Sequence, residues 1–377
     1  MLARVALLVI ALAPLAALPA FGQGSCSAVE LRYDENEDLA QKLSDTNKDC
    51  KHDEFVFYVD GRPERAERDS DHNGRIDVWI FFAEDAKPAR QEQDTSGDGK
   101  VDRWISHKNG VPHTQLDDKN ADGKADSTLY YEGKHPARLE EDSNFDGATD
   151  VWTRYEDGRA SVVEADKNFD EKVDVRAEFD AAGNKIREQQ DTTDDDKLDT
   201  AIFYENGKKV RLEEDTTANE KTDVITYFEK GKITKKEADT TGDGHFDTVA
   251  IYQKGIERRQ SQDKDADGKA ELVIHLNKKG EKTREELDTK AAGRPNIVRH
   301  FEKGKRVREE EDQGDDGKPD VVTTYDGDTK LRREADTTGD GKKDTFIEYR
   351  AGKKAVQEED RDGDGDVDAR YTFDGDG

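Results

Sequence analysis

"DTTDDDKLDTAIFYENGKKVRLEED" (residues 191–215) holds one full turn of the pattern that builds this chain. "TAIFY" (200–204) is β-branched and aromatic, which favours a strand. "ENGK" (205–208) follows; Asn-Gly takes positive φ at little cost, so it closes a tight hairpin. "KVRLEED" (209–215) returns as a second, charged strand. "DTTDDDKLD" (191–199) is an acidic loop, and Asp215 opens the next one.

The unit repeats along the chain. Its loop begins at Asp45, Asp69, Asp94, Asp118, Asp142, Asp166, Asp191, Asp215, Asp239, Asp263, Asp288, Asp312, Asp336 and Asp360, in steps of 24 or 25 residues. The 25-residue steps start at Asp69, Asp166 and Asp263. A two-unit alternation overlies the period. The second loop residue is Thr or Ser in odd loops (Thr46, Thr95, Ser143, Thr192, Thr240, Thr289, Thr337) and often Lys in even ones (Lys119, Lys167, Lys264). Duplication explains both patterns; a structural two-hairpin unit would too.

The fifth residue of the first strand is Phe or Tyr in twelve of fourteen copies, which predicts a stacked column in the core on one sheet face. On the return strand Arg lies four places before the loop in nine copies and Glu two places before it in ten. Residues two apart share a face, so these form a polar ladder, worth little per pair. Both connections are short, so successive strands are antiparallel neighbours. Residues 45–377 are therefore expected as an all-β antiparallel meander of hairpin repeats, roughly 28 strands in an extended or superhelical sheet. The alternative is a seven-bladed β-propeller. Blades pack on both faces, and the charged return strands argue against that.

Only 32% of the chain is hydrophobic, 40% is charged, and the net charge is −29. That composition alone suits disorder, which the regular period excludes. It also disfavours nucleic acid as a partner. Residues 1–22 read as a signal peptide: Arg4, an apolar run from Val5 to Ala13, and small residues before Gln23. No later segment is apolar enough to span a membrane. Export is the expected address, whether secreted, periplasmic or cell-surface; lipid attachment at Cys26 is the lesser alternative. Residues 23–44 are expected to form a capping hairpin, with a Cys26–Cys50 disulfide joining points at one end of the sheet. The sequence stops on the turn "FDGDG" (373–377), from which the array either continues or ends unprotected.

The loops carry the chemistry. "DRDGDGDVD" (360–368) places carboxylates at its first, third, fifth and ninth positions and Gly at its sixth. Short hard-oxygen donors wrapped around a point suit Ca²⁺. The loop resembles those of EF-hands, dockerins and thrombospondin type 3 repeats, over nine residues and without EF-hand helices. The twelfth position, where an EF-hand has a bidentate Glu, holds Thr153, Ile202 or Ile274. The resemblance implies exported repeat proteins with Ca²⁺-stabilised loops, here closed by the ninth residue and of weak affinity.

The candidate ligands are, from the strongest loop down, Asp360, Asp362, Asp364 and Asp368; Asp69, Asp71, Asn73 and Asp77; Asp263, Asp265, Asp267 and Glu271; then three loops with Asn third. Those are Asp118, Asn120, Asp122 and Asp126; Asp142, Asn144, Asp146 and Asp150; and Asp166, Asn168, Asp170 and Asp174. The loops at Asp215, Asp288 and Asp312 read as metal-free turns.

The sequence points to a non-enzymatic structural, adhesive or envelope protein that presents a repeated surface to an extracellular protein or polysaccharide. No histidine motif or Cys–His pair suggests catalysis. The alternative is a glycan- or protein-binding propeller-like module. For that reading Trp79, Trp104 and Trp152, all second in their strands and opposite the aromatic column, are the candidate sugar-stacking residues; inter-strand packing is their ordinary role.

Overall fold

The computed structural model describes residues 27–374. Every regular element among them is a β-strand, 29 in all, and none is a helix. The described residues divide into two compact units, 27–134 and 135–374. The first contains nine strands, from Val29–Tyr33 to Ser127–Glu132, and the second twenty, from His135–Glu141 to Ala369–Thr372. Within each unit every strand pairs antiparallel with its sequence neighbours, and no ladder joins the unit's first strand to its last. The fold is an open meander of hairpins. A propeller would need the ladder to break after every fourth strand, so that alternative is set aside.

One hairpin explains the rest. Thr200–Glu205 pairs with Lys208–Glu214 in the register Thr200↔Glu214, Ile202↔Leu212, Phe203↔Arg211, Tyr204↔Lys209. Val210 has no partner and forms a β-bulge. Asn206 and Gly207, both at positive φ, close the turn. The same bulge recurs in other hairpins, leaving out Glu64, Ala89, Ser161 and Ile186, for instance. Residues on its two sides therefore face opposite ways. Pro63, Pro88 and Pro112 sit immediately before it, where an interior strand tolerates a missing N–H. The 25-residue steps add their extra residue in the hairpin turn. There Ala83, Asp180 and Asn277 donate their amides to the carbonyls of Lys87, Asn184 and Glu281.

This register sorts the side chains. First, third and fifth strand positions share one face. Most buried residues of the first strands, among them Val78, Ala177, Ala250, Val321, Ile347, Thr153, Thr226 and Thr323, occupy first or third positions, while Ala201 and Leu43 are buried on the other face. The fifth-position aromatics do line up, but as a half-covered column. Among them only Tyr325 is buried, and Phe373 is exposed. Their cover is a cation from the preceding return strand: Lys209 lies 5.0 Å from the Phe228 centroid, Lys282 5.1 Å from Phe301, and Arg306 4.0 Å from Tyr325. The expected core column is thus a partly wet cation–π row.

The other face carries the Arg–Glu ladder. Arg65–Glu67 (3.2 Å), Arg211–Glu213 (3.1 Å), Arg284–Glu286 (3.1 Å) and Arg308–Glu310 (2.8 Å) are its rungs. It is less wet than its charge suggests, because Arg65, Arg90 and Arg211 lie 4.5, 4.2 and 4.0 Å over Phe57, Phe81 and Phe203.

Candidate metal-binding loops

The strand ladder runs on into the loops. The first aspartate donates its amide to the closing residue of the loop before, as Asp239 does to Asp223 (2.8 Å). The closing residue donates to the residue preceding its own loop, as Asp77 does to Arg68 (2.9 Å). Between them the chain needs acceptors for a string of turned amides, and the acidic side chains supply them. In the loop Asp239–Asp247, Asp239 accepts the amides of Gly242 (2.7 Å) and Gly244 (2.8 Å), and Asp243 accepts that of His245 (2.8 Å). Asp247, 2% exposed, accepts the amides of Thr240 (2.6 Å) and Thr241 (3.2 Å). Fourth and sixth loop residues adopt positive φ throughout, even Cys50 (73°) and Ala266 (60°). The sequence pattern marks the sixth position with glycine and leaves the fourth unmarked.

The two-unit alternation now has a physical cause. The hydroxyl at the second place donates to the closing side chain. Thr46 reaches Asp53 and Thr95 reaches Asp102, each at 2.7 Å. Ser143 reaches Asp150 (2.7 Å), Thr192 reaches Asp199 (2.8 Å), Thr240 reaches Asp247 (2.8 Å), and Thr337 reaches Asp344 (2.8 Å). Thr289 latches the closing Asn296 at 3.1 Å. Of the even loops only Asp215–Asp223 shares this, through Thr216 (3.1 Å). The latch has an electrostatic signature. Burial opposes ionisation of Asp247, but the hydroxyls of Thr248 and Thr240 and the amides of Thr240 and Thr241 outweigh it and hold the carboxyl below the usual range. The same balance, burial opposed by threonine hydroxyls and loop amides, lowers Asp102, Asp199, Asp223 and Asp344.

The carboxylates converge elsewhere. Three groups each bring one oxygen per residue within 4.8 Å of the others: Asp263, Asp265, Asp267 and Glu271; Asp69, Asp71 and Asp77; Asp360, Asp362 and Asp368. All three belong to even loops, whose second residues, Lys264, Ser70 and Arg361, make no hydroxyl latch. They are also the three loops that the sequence ranks highest, but the order changes. Asp364 lies outside its group and accepts the amide of Asp366 (2.8 Å). Only the Asp263 loop assembles all four acids. Its closing Glu271 has the longer side chain and accepts the Lys264 amide (2.8 Å) through Oε2.

Asp263 adds a second distinction. Its Oδ2 accepts the Gly268 amide (3.0 Å), whereas its Oδ1 is inaccessible to solvent and without a hydrogen-bond partner. Asp118 is alike: 8% exposed, Oδ2 on the Gly123 amide (2.8 Å), Oδ1 buried and unpaired. The two loops share the core "ADGKA" (121–125 and 266–270). A buried carboxylate oxygen lacking a donor carries a desolvation cost, which a hard cation would offset. The donor set of the Asp263 loop, carboxylates from three aspartates and Glu271, fits Ca²⁺.

The loops with Asn third are arranged differently. Asn120, Asn144 and Asn168 accept the amides of Asp122 (2.8 Å), Asp146 (2.9 Å) and Asp170 (3.1 Å). Asn144 also donates its side-chain NH₂ to Asp146 (2.9 Å), so the third and fifth positions join without an ion. Asp150 is held by the Ser143 latch, and Asp174 accepts the amides of Lys167 (2.5 Å) and Asn168 (3.0 Å). Asp166 accepts those of Phe169 (2.7 Å) and Glu171 (2.7 Å); Asp142 does the same for Phe145 (2.6 Å) and Gly147 (2.7 Å), and Asp126 for Asn120 (3.0 Å).

Cys50 is disulfide-bonded. The chain's other cysteine, Cys26, lies outside the described residues, as does segment 1–22. Trp79 stands across from Glu67 and Glu92, Trp104 from Glu92 and Leu116, and Trp152 from Glu140 and Glu164. All three are half-buried within the acidic rungs of the ladder. Trp104 also borders a cleft of about 470 Å³ with Asp98, Asp102, Asp118 and Asp122.

No family model and no curated protein matches this chain. Among solved structures it is similar to TcdB2-TccC3-TEV, at 11% identity and TM-score 0.18, over 88% of this chain and 21% of that one. It is likewise similar to a porin-like protein from Bacteroides uniformis ATCC 8492, at 12% identity and TM-score 0.17, over 67% of this chain and 90% of that one. The chain therefore spans about a fifth of the first neighbour's length, and likeness at these scores carries no functional argument. No helix among the described residues is long and apolar enough to cross a membrane.

Proposed function

We propose that this chain is an exported calcium-binding repeat protein with a structural, adhesive or envelope-associated role, in which Ca²⁺ stabilises selected strand-joining loops. The observation that carries the reading is the Asp263 loop. Four carboxylates meet within 4.8 Å there, and Asp263 Oδ1 is buried without a donor. The loops at Asp69 and Asp360 follow with three acids each. Export rests on the segment 1–22. A non-enzymatic role rests on the repetition itself, since acidic loops recur along the chain and none is set apart as a catalytic pair.

Ca²⁺ bound only by the folded chain stabilises it by mass action, by about 2.7 kcal/mol per site at a hundredfold excess over Kd. Calorimetric titration of residues 23–377 with CaCl₂, beside thermal melts in CaCl₂ and in EDTA, tests the reading. The expected result is a small number of sites, near three, and a lower melting temperature in EDTA. Coincident melts with no heat of binding would sink it.

A further inference from the structure

We infer that the face formed by the strands Thr329–Ala335, Thr345–Arg350, Lys353–Glu359 and Ala369–Thr372 is a binding surface for an anionic polysaccharide. The inference is independent of the calcium loops, which lie at the strand ends. It starts from the charge balance of one face. On the first-third-fifth face, the cation just before the bulge is paired with a glutamate three residues on in three hairpins: Lys185 with Glu188, Lys282 with Glu285 (2.7 Å), and Arg306 with Glu309 (3.1 Å). In the last two hairpins the same place holds Arg333 and Gln357, so the cation before the bulge has no such partner there.

The register places the consequences side by side. Lys330 lies opposite Tyr325, and Arg333 opposite Thr323 and Ile347. Gln357 lies opposite Ile347 and Tyr371, and Lys354 opposite Tyr349. Lys330 and Arg333 make no ion pair among the described residues, and Lys354 donates only to the neutral Gln357 (2.7 Å). The acids nearby are already committed. Glu309 holds Arg299 (2.7 Å) and Arg306 (3.1 Å), Asp328 lies 3.8 Å from Arg306, and Glu359 holds Arg361 (2.9 Å). Three cations thus stand unneutralised on one face of a chain whose net charge is −29.

The aromatics around them decide the class of ligand. Lys354 and Lys330 lie 4.9 and 6.0 Å from the Phe373 and Tyr349 centroids. Rings beside cations receive the apolar face of a sugar while the cations pair with its acid groups. Lys330 and Lys354 sit two strands apart, roughly 10 Å, so one extended polymer can meet both. Nucleic acid is the weaker fit. Its denser phosphate charge is repelled by the rest of the chain.

The test uses the full chain and an oligogalacturonate too short to gel, with a neutral malto-oligosaccharide of equal length and a single-stranded oligonucleotide as competitors. Binding is followed by titration calorimetry in CaCl₂ and in EDTA. Arg333→Glu restores the residue found at this register in neighbouring hairpins (Glu285, Glu309), so its melting temperature should hold. The expected result is binding of the acidic oligosaccharide that weakens with added salt, falls at least threefold in Arg333→Glu and at least tenfold in the triple variant Lys330→Gln, Arg333→Glu, Lys354→Gln. Equal binding of the neutral sugar, preference for the oligonucleotide, or undiminished binding by a folded triple variant would each overturn the inference. Binding lost in EDTA yet unchanged in the triple variant would assign the contact to loop-bound Ca²⁺ and overturn it as well. If the triple variant melts early, Lys354→Gln alone, expected to lose about threefold, gives the decision.

Discussion

The loops Asp239–Asp247 and Asp263–Glu271 are consecutive in the chain and solve the same problem in different ways. Each must turn the backbone between two strands and find acceptors for its inward amides. The first closes with an aspartate, 2% exposed, that gathers two amides and two threonine hydroxyls. Its negative charge is fully engaged by protein donors. The second has Lys264 where the hydroxyl would be, and its closing Glu271 accepts one backbone amide. Its four carboxylates face one another, and Asp263 Oδ1 finds no donor. Near-identical acidic sequences thus divide into loops complete in themselves and loops that lack positive charge. The hydroxyl latch and the convergence of carboxylates are found in different loops, and no loop with a converging group has the latch.

The most severe way to break this comparison is to delete each closing side chain. Asp247→Ala should cost about 2–4 kcal/mol, because it strands buried amides and hydroxyls, and the loss should be the same in CaCl₂ and EDTA. Glu271→Ala should cost little in EDTA yet remove one calcium site and its share of the thermal gain. Urea unfolding in both conditions measures the four values. Equal calcium dependence for the two variants would end the distinction between loop classes.

A constructive version converts one loop into the other. Lys264→Thr with Glu271→Asp gives the Asp263 loop the latch of its neighbour. The double variant should gain about 1 kcal/mol in EDTA from the new hydroxyl bond and lose one site in calorimetry. Retention of every site would show that the hydroxyl does not govern occupancy.

How far the sequence discloses this can be judged residue by residue. Alternation of "TAIFY" with "KVRLEED", and the Asn206–Gly207 turn, specify the hairpin because strand propensity and turn chemistry are local. The bulge is not legible: Val210, Glu64 and Ile186 have no common chemistry, and its position follows from the twist of paired strands. Without it, Lys209 and Arg211 read as one face, and the cation–π row is invisible. Acid content picks out the Asp69, Asp263 and Asp360 loops, the three in which carboxylates converge. It misplaces the strongest, because whether Asp364 turns inward or Asp263 keeps an unpaired oxygen depends on distances that composition does not carry. The Thr/Lys alternation is visible in the sequence, but its cause lies in the hydrogen bonds of the closing acid.

Acid titration sharpens the comparison through charge. The closing carboxyls of latched loops are held below their usual range, with burial opposing and hydroxyl and amide donors prevailing. A folded pKa below the unfolded value, near ~3.9 for Asp, gives stability that is complete above the unfolded value. It is lost as pH falls through the folded one. The chain in EDTA should therefore hold its stability to about pH 4 and lose it progressively below. At the alkaline end Tyr325 behaves oppositely. Burial, with the Glu309 hydrogen bond (3.0 Å), pushes its hydroxyl up to about 12. Its contribution is whole below ~10 and is lost as pH rises from there toward the folded value. Far-UV circular dichroism across both ranges records the two edges, and Tyr325→Phe should flatten the alkaline one.

The smallest expected effect isolates the latch itself. Thr240→Val keeps the β-branched shape and removes one hydroxyl from Asp247, leaving the amides of Thr240 and Thr241 and the Thr248 hydroxyl in place. One hydrogen bond to a charged group amounts to about 1–2 kcal/mol, and a loss of that size should appear with or without calcium. Because the Thr240 hydroxyl helps hold the Asp247 carboxyl down, its removal lets that carboxyl rise toward the unfolded value. The acid transition should then begin at higher pH in Thr240→Val than in the parent chain. Lys264→Val, at the same place in the open loop, removes no such donor and should leave the acid transition where it was. A shared upward shift in both variants would mean that the second loop position acts through packing alone, and the hydroxyl would cease to separate the two loop classes.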